Sequence, residues 1–259
     1  MSARSARLRW TVLGAVIGLL AWSAGAQEPT PGSPWTGSSP ALDQLKAGFA
    51  AMEAGSFDAA LTHYRSALES AGTAELRFQS QVGVGAAAAA LGRADEARAA
   101  YAEALRIKPG NPEALLALGQ VAKAQGLLDE AAARFAEAAV ADPDPVQALT
   151  ELGVVYELQG RHQEAAEVCR RAVSRAPDDL EALLCAGVAV YHLGRYAEAA
   201  PLFAAVVERD PASARGRYGL GLAKLYLEDL DGAASEQRAL AELDAALAAD
   251  LGERIAAER

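Results

Sequence analysis

The chain holds few of the residues from which active sites are built. Its two cysteines, Cys169 and Cys185, lie sixteen residues apart, so there is no CxxC pair for dithiol chemistry or for a cysteine-rich zinc site. Its three histidines, His63, His162 and His192, fall in different segments without ligand spacing and read as partly exposed helix residues. No glycine-rich phosphate loop, HExxH or GxSxG occurs, and Gly83-Val84-Gly85 sits in a helical stretch with no strand before it. The expectation is no catalytic residue, no metal, no cofactor and no enzyme. Aromatic residues are scarce at 6 %, although 52 % of the chain is hydrophobic. Much of that apolar content is alanine, the best helix former and a poor strand former, which points to closely packed helix pairs. Positive charge is also short: the net charge is −10 and the isoelectric point near 4.9. Phosphate backbones and anionic lipid surfaces need Lys/Arg clusters, so neither nucleic acid nor a membrane surface is an expected partner.

A membrane-spanning run is missing as well. The N-terminus carries Arg4, Arg7 and Arg9, then an apolar run from Thr11 to Trp22, then the small-residue site Ala24-Gly25-Ala26. This order is that of a secretory leader, residues 1–26, with cleavage after Ala26. The run is shorter than the roughly 20 residues that span a bilayer as a helix, although retention as an anchor is the alternative. No cysteine stands at the cleavage site for lipid attachment. The expected location is exported, in the periplasm or beyond it, with no membrane insertion after cleavage. Residues 27–40 are Pro, Gly, Ser and Thr around Trp35 and read as a flexible linker.

What the chain does have is a period. Pro109, Pro143, Pro177 and Pro211 recur every 34 residues, as do Gly85, Gly119, Gly153, Gly187 and Gly221. Gly92, Gly126, Gly160 and Gly194 keep the same step, and so do Ala97, Ala131, Ala165, Ala199 and Ala233. Each column has a physical use. A glycine in mid-helix and an alanine opposite let two helices approach closely. The second glycine supplies the left-handed residue that ends the first helix. Proline cannot continue the second helix, and the chain turns there. Asn111-Pro112, Asp144-Pro145 and Asp178-Asp179 read as helix starts, each with a capping residue.

These columns resemble the tetratricopeptide repeat family. Leu118-Gly119, Leu152-Gly153 with Tyr156, and Leu220-Gly221 match its first helix, helix A. Ala97 with Tyr101, Ala131 with Phe135, and Ala199 with Phe203 match its second, helix B. The resemblance implies an all-α, right-handed superhelical solenoid of about six antiparallel helix pairs. The repeats are 41–74, 78–111, 112–145, 146–179, 180–213 and 214–244, with about three residues inserted around Ala74–Arg77. Glu228 stands where a turn glycine is expected. Residues 245–259 form a last helix, whose Leu247, Leu251 and Ile255 continue Leu243 as an apolar stripe. That stripe either caps the last repeat or forms a dimer seam.

In this family helix A lines the concave surface. The inward positions are then Leu45, Phe49 and Met52; Val82, Ala86 and Ala89; Leu116, Gln120 and Lys123; Thr150, Val154 and Glu157; Leu184, Val188 and Tyr191; Tyr218, Leu222 and Leu225. Members that clamp a terminal carboxylate use Lys, Asn and Arg there, whereas this chain offers Lys123 with Arg215 at the rim. The apolar ends of the groove suit an amphipathic helix or apolar peptide. The competing reading is that these side chains pack between helices. Cys169 falls in the aromatic column and Cys185 in the next helix A. They are either disulfide-bonded, in an oxidising compartment, or two small buried side chains. The expected function is a non-enzymatic scaffold or adaptor for a protein partner in an envelope assembly. The alternative is a solute- or ligand-binding protein using the groove as a pocket.

Overall fold

The computed structural model describes residues 39–258. The leader, its cleavage site, Trp35 and most of the linker lie outside the described residues. Within them are thirteen α-helices and no strand. None is long and apolar enough to cross a membrane. The described residues divide into two compact units, one ending at Asp142 and one beginning at Pro143.

The first unit holds α1 (Pro40–Glu53), α2 (Phe57–Glu69), α3 (Ala74–Ala90), α4 (Ala94–Ile107), α5 (Pro112–Ala124) and α6 (Leu128–Ala141). They pack as three consecutive hairpins, with α2 also against α3 and α4 against α5. Helix starts are made where the sequence offers caps. Ser39 Oγ accepts from the Leu42 amide at 3.2 Å, so the linker reading ends one residue early and Pro40 opens α1. Asn111 Oδ1 accepts from the Ala114 amide at 2.9 Å. The three-residue insertion is not a loop. Thr73 caps α3, whose 17 residues make it about one turn longer than the other first helices, so the second repeat starts at Ala74 rather than at 78.

The second unit holds α7 (Val146–Leu158), α8 (His162–Arg175), α9 (Leu180–His192), α10 (Tyr196–Arg209), α11 (Ala214–Tyr226), α12 (Leu230–Leu240) and α13 (Ala245–Ala257). Three hairpins are again followed by their neighbours, and α13 packs on α11 and α12. Here α7 begins at Val146 with Pro145 as its N-cap residue, one position later than Asp144-Pro145 suggests. Asp179 Oδ1 accepts from the Ala182 amide at 2.8 Å, as its place in the repeat predicts.

The glycine and aromatic columns meet. A Cβ on Gly187 or Gly219 would stand 2.7 or 2.5 Å from the Phe203 ring, so one aromatic fills a gap in its own hairpin and in the next. Two departures from this rule shape the second unit. At Gly153 the partner is Cys169, which is disulfide-bonded to Cys185 with the Cα atoms 5.6 Å apart. At Gly221 the repeat supplies Gln237 in place of an aromatic, and Leu251 of α13 occupies the space instead, 2.5 Å from where a Cβ would be. The last helix therefore caps the array by filling a hole that the sixth repeat leaves. Ala248, Leu251 and Ile255 are buried with Leu222, Leu225 and Leu240. Leu243 does not belong to that stripe and is 42 % exposed. Glu228 takes the turn position in the left-handed region at φ 63°, where Gly126, Gly160 and Gly194 stand at 78°, 72° and 73°.

Candidate partner-binding pocket

In the second unit, helix A positions of two successive repeats enclose a pocket of about 240 Å3. Leu184, Val188, Tyr191 and His192 of α9 form one wall, and Arg215, Tyr218, Gly219 and Leu222 of α11 form another. Phe203 of α10 lies behind Gly219, and Leu247 of α13 closes the end. The lining is chiefly hydrocarbon and aromatic. Its polar groups already have partners: the Tyr218 hydroxyl donates to Asp250, and Arg215 pairs with Glu181 at 3.0 Å. Asp250 is in turn held by Arg254 at 2.7 Å. The Arg254 and Tyr218 hydrogen bonds keep the Asp250 carboxyl below the usual carboxylate range. Burial, then the neighbouring Tyr226, pushes the Tyr191 phenol well above its usual value, so it stays neutral. Tyr191 packs edge-on to Tyr226, which stacks on Tyr196 with centroids 4.6 Å apart.

Of the positions expected to face a partner, Leu184, Val188, Tyr191, Tyr218 and Leu222 thus come together. Leu225 does not. It is 5 % exposed and faces the cluster that α13 covers. In the first unit the expectation fails at Leu45 and Met52, which are 0 % and 2 % exposed and sit in the core around Tyr64 and Val84. Phe49 is half-buried and meets Tyr64 edge to face at 5.6 Å. Leu116 and Gln120 are buried, and the Gln120 Oε1 atom has no hydrogen-bond partner among the described residues. Lys123 places its Nζ 6.0 Å from the centre of the Phe135 ring. Val154, in the second unit, is half-buried. The tyrosines also do more than face a groove. Tyr191 and Tyr218 both pack on the Leu222–Leu251 cluster, and Tyr218 ties α13 down.

The reading of three separate histidines is corrected for two of them. Glu157 ends α7, His162 opens α8 and His192 ends α9. The His162 Nδ1 lies 3.1 Å from either Glu157 oxygen, and the His192 Nδ1 lies 2.5 Å from Oε2. The signal was available in the register: one period after Glu157 is Tyr191, next to His192, and His162 starts the intervening helix. His63 stands apart, 2.8 Å from Gln44 Oε1. The pocket residues that pattern reading passed over, His192, Phe203, Gly219 and Leu247, come from the end of α9, the helix B column, the middle of α11 and the capping helix.

Family models described as tetratricopeptide repeat match residues 45–112, 116–179 and 156–215, more than half of the chain. No curated protein matches. Among solved structures, the chain is similar to YrrB, described as a TPR protein with an unusual peptide-binding site. The two share 24 % identity over 73 % of this chain and 97 % of that one, with a TM-score of 0.61. It is also similar to the Pseudomonas aeruginosa protein PilF, at 19 % identity over 79 % and 92 % of the chains and a TM-score of 0.68. PilW, described as a widely conserved type IV pilus biogenesis factor, gives 18 % identity over 80 % and 94 % of the chains, also with a TM-score of 0.68. At these identities the structural likeness speaks for the fold alone. The family models, the 34-residue columns and the glycine–aromatic packing agree, and the chain belongs to the tetratricopeptide repeat family.

Proposed function

We propose that this protein is a non-catalytic adaptor of the bacterial cell envelope, which holds a partner by seating an apolar side chain of its helix or peptide between α9, α11 and α13. The pocket carries this reading. Its volume of about 240 Å3 lies below the roughly 300–1,000 Å3 of small-molecule sites, and its polar groups are already partnered, so it suits one or two side chains better than a solute. The leader-like N-terminus and the Cys169–Cys185 disulfide support an oxidising compartment. YrrB is described by a peptide-binding site, which fits an adaptor, and PilW by pilus biogenesis, which fits the envelope.

The test takes the disulfide-bonded chain and selects binders from a library of displayed peptides. Selected sequences should share one large apolar residue. Tyr191→Ala, made in a chain whose fold is confirmed by circular dichroism, should weaken them by about 2 kcal/mol as a binding hot spot. Arg171→Ala, at an exposed position of α8, should change affinity by less than about 0.5 kcal/mol. Peptides that bind both variants equally would refute the pocket.

A further inference from the structure

The trio of Glu157, His162 and His192 stands outside the packing logic of the repeat. The Glu157 side chain is only 11 % exposed, yet its hydrogen-bond partners among the described residues are the two imidazoles. The nearest cationic side chain in sequence, Arg161, is engaged with Glu164 and lies over the Tyr156 ring, 4.1 Å from its centroid. This carboxylate is thus largely removed from water and faces two imidazoles, the side chains that most often ligate transition metals. One donor atom from each of the three residues lies within 4.8 Å of the others, and the two imidazole rings are 4.8 Å apart between centroids. Around a tetrahedral ion with bonds of about 2.0–2.1 Å, donors stand about 3.4 Å apart, so these three would close on one with shifts on the order of 1 Å.

We propose that Glu157, His162 and His192 bind one divalent transition-metal ion through a carboxylate oxygen and two imidazole nitrogens. Two nitrogen donors and one oxygen select the zinc, nickel and copper class over magnesium or calcium, which take shells of oxygen. The His162 and His192 side chains are 34 % and 44 % exposed, so an ion has an entry path and keeps open positions toward solvent. It links the α7–α8 turn to the end of α9 and so joins two successive repeats. His192 also lines the apolar pocket, which puts the ion at its rim. The inference stands independently of what the pocket holds, because it rests on the donor set alone.

The experiment uses the tag-free, chelator-stripped chain, titrated calorimetrically with Zn2+ alone. In parallel, Cu2+ loading is followed by electron paramagnetic resonance. The wild type should bind one equivalent, with two nitrogens coupled to the copper and a higher melting temperature when Zn2+ is in excess. His162→Ala and His192→Ala should each lower affinity by about 100-fold or more and leave one coupled nitrogen. Glu157→Gln, which still accepts a hydrogen bond but carries no charge, should lower affinity by at least about 10-fold. His63→Ala should behave as wild type. Absence of saturable binding or of any Zn2+-induced rise in melting temperature in the wild type overturns the proposal without reference to a variant. Binding that survives in the His162→Ala/His192→Ala double variant also overturns it.

Discussion

Leu251 is the side chain on which the end of the array depends most, and truncating it to alanine has a calculable cost. Leu251 is fully buried among Leu222, Leu225, Leu240 and Ile255, and its methyl groups occupy the space above Gly221. Loss of three buried carbons from a leucine site costs about 3–5 kcal/mol, and more where the walls cannot collapse. The wall here is a glycine backbone, which has no side chain to move into the gap, so the upper half of that range is expected. One bound applies. Repeats contact mainly their neighbours, so the protein can shed α13 without unfolding the rest, and the loss saturates at the free energy that holds α13 in place. Amide hydrogen exchange separates the two outcomes, because protection should fall in α11–α13 and hold in α7–α9. Urea denaturation gives the magnitude, with Leu243→Ala, at the exposed end of the supposed stripe, as the control within about 0.5 kcal/mol. A Leu251→Ala loss below about 1 kcal/mol, or a uniform fall in protection across the second unit, would refute the claim that this leucine replaces the missing aromatic.

Reducing the Cys169–Cys185 bridge, or replacing both cysteines by alanine, frees a loop of 16 residues and should lower stability by about 3 kcal/mol, measured by denaturation with and without reductant. Glu228→Gly relieves a left-handed non-glycine residue and should raise stability by up to about 1 kcal/mol, seen as a higher urea midpoint. Asp250 has a depressed carboxyl pKa through Arg254 and Tyr218, so its contribution is complete above the ordinary carboxylate value and is lost as pH falls through the lowered one. Melting temperature should therefore fall further between pH 5 and about pH 2 in the wild type than in Asp250→Asn, and parallel curves would contradict the assignment.

The fold was legible because one period carries several independent columns. Gly92, Gly126, Gly160 and Gly194 mark the turns, and Tyr101, Phe135 and Phe203 mark the gaps that mid-helix glycines open. The site was legible only in part, because a column states which way a residue faces along its own helix and not what lies over it. Leu184 and Leu45 hold equivalent places, yet Leu184 borders the pocket while Leu45 is sealed in the core that α1 shares with Tyr64 and Val84. Leu225 was lost to the groove for the same reason, since α13 covers it. Leu247 and His192 went unread because they enter the site from outside the helix A columns. The Glu157–His162–His192 group was hidden by distance along the chain, although the register alone places His192 one residue beyond the column of Glu157.

The central claim is that the pocket between α9, α11 and α13 is where a partner docks, and Leu247 tests it with least damage to the fold. Leu247 is half-buried at the third position of α13, where an aspartate agrees with the helix dipole, and it borders the pocket at the edge of the cluster that α13 covers. Leu247→Asp should leave the helical content intact and put a carboxylate into an apolar socket. Peptides selected on the wild type should then bind at least about 30-fold more weakly by titration calorimetry, equivalent to about 2 kcal/mol. An unchanged dissociation constant in a folded Leu247→Asp chain would contradict the account and place the partner elsewhere on the protein.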